Sequence, residues 1–212
     1  MKPFYRLVHF VIRCLVKLLF RAEAVTPENL PMKGGIVVAS NHASHLDPPL
    51  IAVLVWRELH FMAKEELFRS PLFGRIIRSL NAHPVNRDGV DRRTLREYID
   101  VLKTGGALII FPEGTRTSDG NLQEPKTGAA MIAAQAGVPV IPVYVDGSFE
   151  AMPRGVSFPR RHKVRVFYGE PFDPAELLAS AERRQRYELL AGEIMRRIAE
   201  LREKALEARA RD

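Results

Sequence analysis

Hydrophobic and polar positions divide the chain into three stretches. Residues 3–20 are apolar almost throughout, while Lys2, Arg6, His9, Arg13, Lys17 and Arg21 recur at spacings of four and three. That pattern predicts a helix with one cationic stripe and a wide apolar arc. From Gly34 onward, short apolar runs alternate with helix-period segments. Strands are predicted over 36–40, 60–63, 84–86, 108–111, 138–145 and 164–168, and helices over 49–58, 71–80, 92–103 and 127–136. The runs at 36–39 and 107–111 are apolar at every position, as expected of central strands covered on both faces. Beyond Asp173, Tyr187, Leu190, Ala191, Ile194, Ile198, Leu201 and Ala205 keep helical spacing beneath a mixed-charge surface, which predicts a long terminal helix packed on the core. The expected fold is α/β: a single domain with a largely parallel or mixed central sheet flanked by helices. It divides into an amphipathic helix at 1–22, a core at 23–173 and a C-terminal helical segment at 174–212.

Charge changes the picture at the N-terminus. Of a formal net charge of +7, residues 1–21 supply five Lys/Arg and no acid, residues 22–173 balance 18 bases against 17 acids, and the last 39 residues hold nine and eight. A surplus confined to the chain's start is not the broad basic face of a nucleic-acid binder. No uncharged run there reaches the roughly 18–20 residues needed to span a bilayer. The segment is therefore expected to lie on an anionic membrane surface, with its apolar arc at the headgroup boundary and its cations turned to lipid phosphates. The competing expectation is a helix packed on the protein's own core. Cys14, the single cysteine, has no disulfide partner and is expected to be a packing residue in a reducing compartment.

Candidate chemistry follows two predicted strands. Asn41, His42, Ala43, Ser44, His45, Leu46 and Asp47 come directly after the first strand, where loops at strand carboxyl ends gather ligands in open α/β sheets. His42 and Asp47 are five residues apart. They would point about 140° apart on a helix and to opposite faces of a strand, so they can meet only across a turn, which Pro48 and Pro49 favour. A carboxylate on one ring nitrogen would leave the other free as a general base. Taken alone, the same residues read more readily as a loop histidine and a helix cap at Asp47. Zinc ligation by His42, His45 and Asp47 is a weaker alternative without a fourth ligand group. No serine-hydrolase elbow or phosphate-binding P-loop pattern occurs. Phe111, Pro112, Glu113, Gly114, Thr115 and Arg116 form the second constellation. Gly114 allows close backbone approach, Thr115 offers a hydroxyl, and Arg116 carries a fork suited to phosphate.

Together these residues resemble the glycerolipid acyltransferase family typified by 1-acylglycerol-3-phosphate acyltransferases. The resemblance spans four ordered blocks over residues 41–143: the N-H-x4-D block at Asn41 to Asp47, a second block ending at Arg87, the F-P-E-G-T-R block at 111–116 and a V-P-I-P-like block at 138–143, with a lysine-bearing stretch from Phe61 to Leu67 between the first two. It implies His42 as base and Asp47 as its orienter, with Glu113, Gly114, Thr115 and Arg116 holding a glycerol phosphate and Lys64 and Arg87 adding positive charge. The block around Arg87 matches mainly at Val85 and Arg87. Lys126 is a further candidate phosphate contact. The implied reaction moves a fatty acyl group from acyl-CoA or an acyl-carrier protein to the sn-2 hydroxyl of 1-acylglycerol 3-phosphate, giving phosphatidic acid. It needs no metal or bound cofactor, since the thioester supplies the activation, and it is expected at the cytoplasmic face of the membrane as a peripheral or monotopic protein. Another lyso-lipid acceptor, such as a lyso-aminolipid, and a non-enzymatic membrane-binding module are the alternatives.

Overall fold

The structure is a computed structural model that describes residues 3–85, 92–180, 182 and 185–211. In chain order the elements are α1 (Pro3–Phe20), β1 (Glu23–Val25), β2 (Ile36–Ser40), α2 (Asp47–Val53), β3 (Leu59–Lys64), α3 (Pro71–Ser79), β4 (Ala82–Val85) and α4 (Arg92–Lys103). They continue with β5 (Ala107–Ile110), α5 (Gly128–Ala136), β6 (Val140–Asp146), α6 (Ser148–Ala151), β7 (Arg165–Tyr168), α7 (Pro174–Ser180) and α8 (Arg186–Ala210). The expected α/β class and mixed sheet are borne out, with strand order β1-β7-β6-β2-β5-β3-β4. The strands from β6 to β4 are mutually parallel, and β7 and β1 form an edge pair running the other way.

Side chains of β2 alternate between two cores. Ile36 and Val38 join Val16, Phe20, Leu50, Ile51 and Ile77 beneath α1, α2 and α3. Val37 and Ala39 join Tyr98, Leu102, Ala133, Ile194 and Ile198 beneath α4, α5 and α8. Burial on both faces explains why the sequence at 36–40 shows no alternation. The connection from β2 to β3 crosses one face through α2, while that from β5 to β6 crosses the other through α5. β2 and β5 are neighbours, so their carboxyl ends open a crevice at the point where the winding reverses.

Several boundaries move. α2 starts at Asp47, two residues early, because Pro48 and Pro49 suit a first helical turn, and it ends at Val53 rather than Glu58. The chain must leave the helix there, since buried Arg57 donates to the carbonyls of Pro31, Gly34 and Gly105 at the amino ends of β2 and β5. β6 begins at Val140, beyond Pro139, whose ring nitrogen has no hydrogen to donate.

For α1, the expectation of a helix packed on the protein's own core is borne out on one side, and the other side of the helix is exposed. Tyr5, Val16 and Phe20 pack inward, whereas Phe4, Leu7, Phe10, Val11, Leu15, Leu18 and Leu19 are 41–68% exposed. His9 departs from the expected cationic stripe: it is fully buried, bonds Val55 O at 2.8 Å and lies against the rings of Tyr5 and Trp56. Arg13 is likewise drawn to the protein, donating to Val53 O at 2.8 Å and covering the Trp56 ring. Cys14 is exposed, which corrects its reading as a packing residue; the core is met by a different arc of the helix. Among the described residues no helix is long and apolar enough to cross a membrane.

Candidate active site

Asn41 sets where β2 stops. Its side-chain amide accepts from Val145 N–H at 2.7 Å and donates to Val145 O at 3.2 Å, so it imitates a strand residue against β6 while its own backbone turns away. His42 therefore begins a turn over the crevice, and Asp47 closes that turn from the first residue of α2. The Oδ2 atom of Asp47 accepts from Ala43 N–H at 2.7 Å and Ser44 N–H at 2.8 Å, and lies 2.9 Å from His42 Nδ1. Asp47 does not cap α2, since no side-chain capping bond is made at that terminus. Its carboxylate is fully buried, and Oδ1 has no hydrogen-bond partner among the described residues.

The loop after β5 fastens the same histidine from the other side. Glu113 Oε1 accepts from His42 N–H at 2.9 Å, and Thr117 N–H donates to His42 O at 2.8 Å. Phe111 stacks beneath the imidazole, with ring centroids 3.9 Å apart and planes 15° from parallel. The His42 main chain and ring are thus held by both strands of the switch point. Nδ1, facing an acceptor-only carboxylate, carries the hydrogen, and Nε2 is left as the ring's proton acceptor.

Glu113 is 2% exposed and is occupied by His42 N–H and by Gln123, whose Nε2 donates to Oε2 at 3.0 Å. Burial pushes its carboxyl above the ordinary glutamate range, partly offset by these hydrogen bonds. Gly114 adopts φ +70°, and a Cβ added there would come within 2.9 Å of the Lys126 side chain, so Lys126 lies over this glycine. Lys126 N–H also donates to Pro112 O at 2.8 Å, closing the loop on itself. Thr115 is exposed and Arg116 half-buried.

Cations collect around the crevice. Partial desolvation, then the nearby charges of Arg116, His42 and Lys64, holds His45 below the ordinary histidine range. Desolvation and the neighbouring Arg154 likewise lower Arg116. The structure thus brings His42, Asp47, Glu113, Gly114, Arg116, Lys64 and Lys126 to one end of the sheet. Arg87 lies outside the described residues. Arg154 went unnoticed in the sequence, where it is one arginine in a loop. Asn41 did have a signal, as the first residue of its block, but its role depends on β6, more than a hundred residues away. Chemically, the arrangement offers an oriented imidazole beside a cluster of cations, suited to deprotonating a hydroxyl on an anionic molecule.

Residues 21–146 match the family described as Acyltransferase. The 1-acyl-sn-glycerol-3-phosphate acyltransferase of Bacillus subtilis (strain 168) is 29% identical over 202 residues, covering 94% of this chain and 98% of that protein. A chloroplastic protein of the same name from Brassica napus is 35% identical over 164 residues, 74% of this chain but 47% of its own length. The crystal structure of the 1-acyl-sn-glycerophosphate (LPA) acyltransferase PlsC from Thermotoga maritima matches with a TM-score of 0.75 and 33% identity, over 93% of this chain and 81% of that one.

Proposed function

The chain belongs to the acyltransferase family, and from that premise we propose that it acylates the sn-2 hydroxyl of 1-acylglycerol 3-phosphate, using an acyl-CoA or acyl-carrier-protein thioester and yielding phosphatidic acid. The observation that carries this reading is the oriented His42–Asp47 pair, 2.9 Å apart, beside the cations of Lys64, Arg116 and Lys126. His42 Nε2 takes the proton as the acceptor oxygen attacks the thioester carbonyl. The tetrahedral intermediate then collapses, breaking the carbon–sulfur bond, and the leaving thiolate takes the proton back from His42. Asp47 stabilises the imidazolium between the two transfers. Arg116, with Lys64 and Lys126, neutralises the acceptor's phosphate, Gly114 and Thr115 shape the loop that receives it, and Glu113 acts through His42 by fixing its backbone.

The exposed apolar side of α1, with exposed Arg6 and Lys17 beside it, would rest on anionic lipid at the cytoplasmic face, where acceptor and product reside. The test supplies purified chain with each thioester donor and three acceptors: 1-acylglycerol 3-phosphate, a monoacylglycerol and a lyso-aminolipid. Phosphatidic acid from the first acceptor is expected, at a kcat/KM well above that for the others. Equal turnover of the phosphate-free acceptor would remove the phosphate from the account.

A further inference from the structure

The connection from β6 to β7 leaves the same end of the sheet that carries His42. Between residues 152 and 163 it contains Arg154, Arg160, Arg161, His162 and Lys163 and no acid. Arg160 N–H donates to Ala151 O at 2.7 Å, so the ends of the outer loop meet, and Val156 N–H turns back onto Pro153 O at 3.2 Å. This compact loop holds Phe158 at 82% exposure, more than any other large exposed hydrophobic side chain among the described residues. Arg154, Arg160 and Arg161 are exposed around it.

Three contacts tie the loop to the parts already described. Ser44 Oγ, within the His42–Asp47 turn, donates to Met152 O at 2.8 Å. Arg154 lies close enough to Arg116 to act on its charge. At the loop's base, Val164 N–H donates to Phe20 O at 3.0 Å, joining it to the last residue of α1. A ring held out in water beside arginines matches one environment in particular, the headgroup boundary, which takes the ring into its apolar side and the guanidinium groups onto its phosphates. An acidic protein could also take arginines and a ring, but the link of the loop's base to α1, whose apolar side is exposed, favours a lipid surface.

We propose that residues 152–163 form a second lipid-contacting element, in which Phe158 enters the headgroup boundary and Arg160 and Arg161 engage anionic phospholipid, so that this loop and α1 together hold the His42 end against the bilayer. The benefit to catalysis rests on the acyltransferase reading; the lipid contact does not.

Sedimentation of the full chain with phosphatidylcholine vesicles, with and without phosphatidylglycerol, tests the contact in wild type, Phe158→Ser and the double variant Arg160→Ala/Arg161→Ala. Partition onto the anionic vesicles should fall about thirtyfold in the double variant, the equivalent of about 2 kcal/mol for two surface arginines, and about tenfold in Phe158→Ser. Turnover of a short-chain acceptor dissolved below its micellar concentration should stay at the wild-type level in both variants. Unchanged partition would overturn the proposal. Unchanged partition with a raised KM for the carrier-protein thioester would overturn it in favour of a protein partner. A wild type that partitions as expected yet transfers no acyl group would sink the acyltransferase reading and leave the lipid contact standing.

Discussion

Asp47→Asn separates the charge of Asp47 from its architecture. Oδ2 accepts from two backbone N–H groups and faces His42 Nδ1, so an oxygen must occupy that position. An asparagine placed with its oxygen there keeps all three bonds and the same His42 tautomer, and its NH2 group takes the place of Oδ1, which is already buried without a partner among the described residues. Weaker bonds to a neutral acceptor oppose relief from burying a charge, so stability should change by no more than about 2 kcal/mol. What disappears is attraction between the carboxylate and an imidazolium. For charges about 4 Å apart at an effective dielectric near 20 this is about 4 kcal/mol, or roughly a thousandfold in kcat at 1.36 kcal/mol per decade. Thiol release, followed continuously under saturating acceptor, gives kcat, and thermal unfolding controls for the fold. A folded Asp47→Asn protein within about fivefold of wild-type kcat would refute the reasoning, because that leaves only about 1 kcal/mol for the charge.

Arg116→Ala should raise acceptor KM by roughly ten- to a hundredfold through loss of a charge-assisted bond, with Arg116→Lys intermediate because it keeps charge without the fork; an unchanged KM would place the phosphate elsewhere. Glu113→Gln probes a carboxyl whose proton is held more tightly in the folded chain than in the unfolded one. Its contribution is therefore full at low pH and is lost as pH rises from the ordinary 4.5 through the raised folded value. Urea unfolding across that window should show wild type losing stability relative to Glu113→Gln as pH increases, and a flat difference would contradict the buried placement. Arg57→Ala strips donors from three carbonyls at the far end of the sheet. It should cost about 3 kcal/mol or more in urea unfolding without changing kcat per folded molecule; full stability would contradict those bonds.

Local pattern carried some of this structure and topology the rest. Residues 36–39 and 92–103 were legible because an unbroken apolar run and a helical period each have one good solution. β1 was not: three residues, Glu23–Val25, become a strand only because β7, some 140 residues later, supplies the partner. On α1 the period fixed a helix but could not choose between two apolar arcs, and His9 went inward because Tyr5, Trp56 and Val55 O receive it. At the site, the spacing of His42 and Asp47 demanded a turn, yet the bonds that turn the carboxylate onto Ala43 and Ser44, and away from a cap, are tertiary detail. The resemblance implies Glu113 as one of the residues that hold the glycerol phosphate; the geometry commits its carboxylate to His42 N–H and Gln123.

The proposed chemistry depends on His42 taking the acceptor's proton. The measurement that reaches this most directly is kcat for phosphatidic acid formation from 1-acylglycerol 3-phosphate by purified His42→Ala, against wild type under saturating donor and acceptor, with thermal unfolding confirming an intact fold. Loss of a general base predicts a fall of roughly a hundred- to ten-thousandfold with acceptor binding retained. A folded His42→Ala protein turning over at the wild-type rate would contradict the account at its centre.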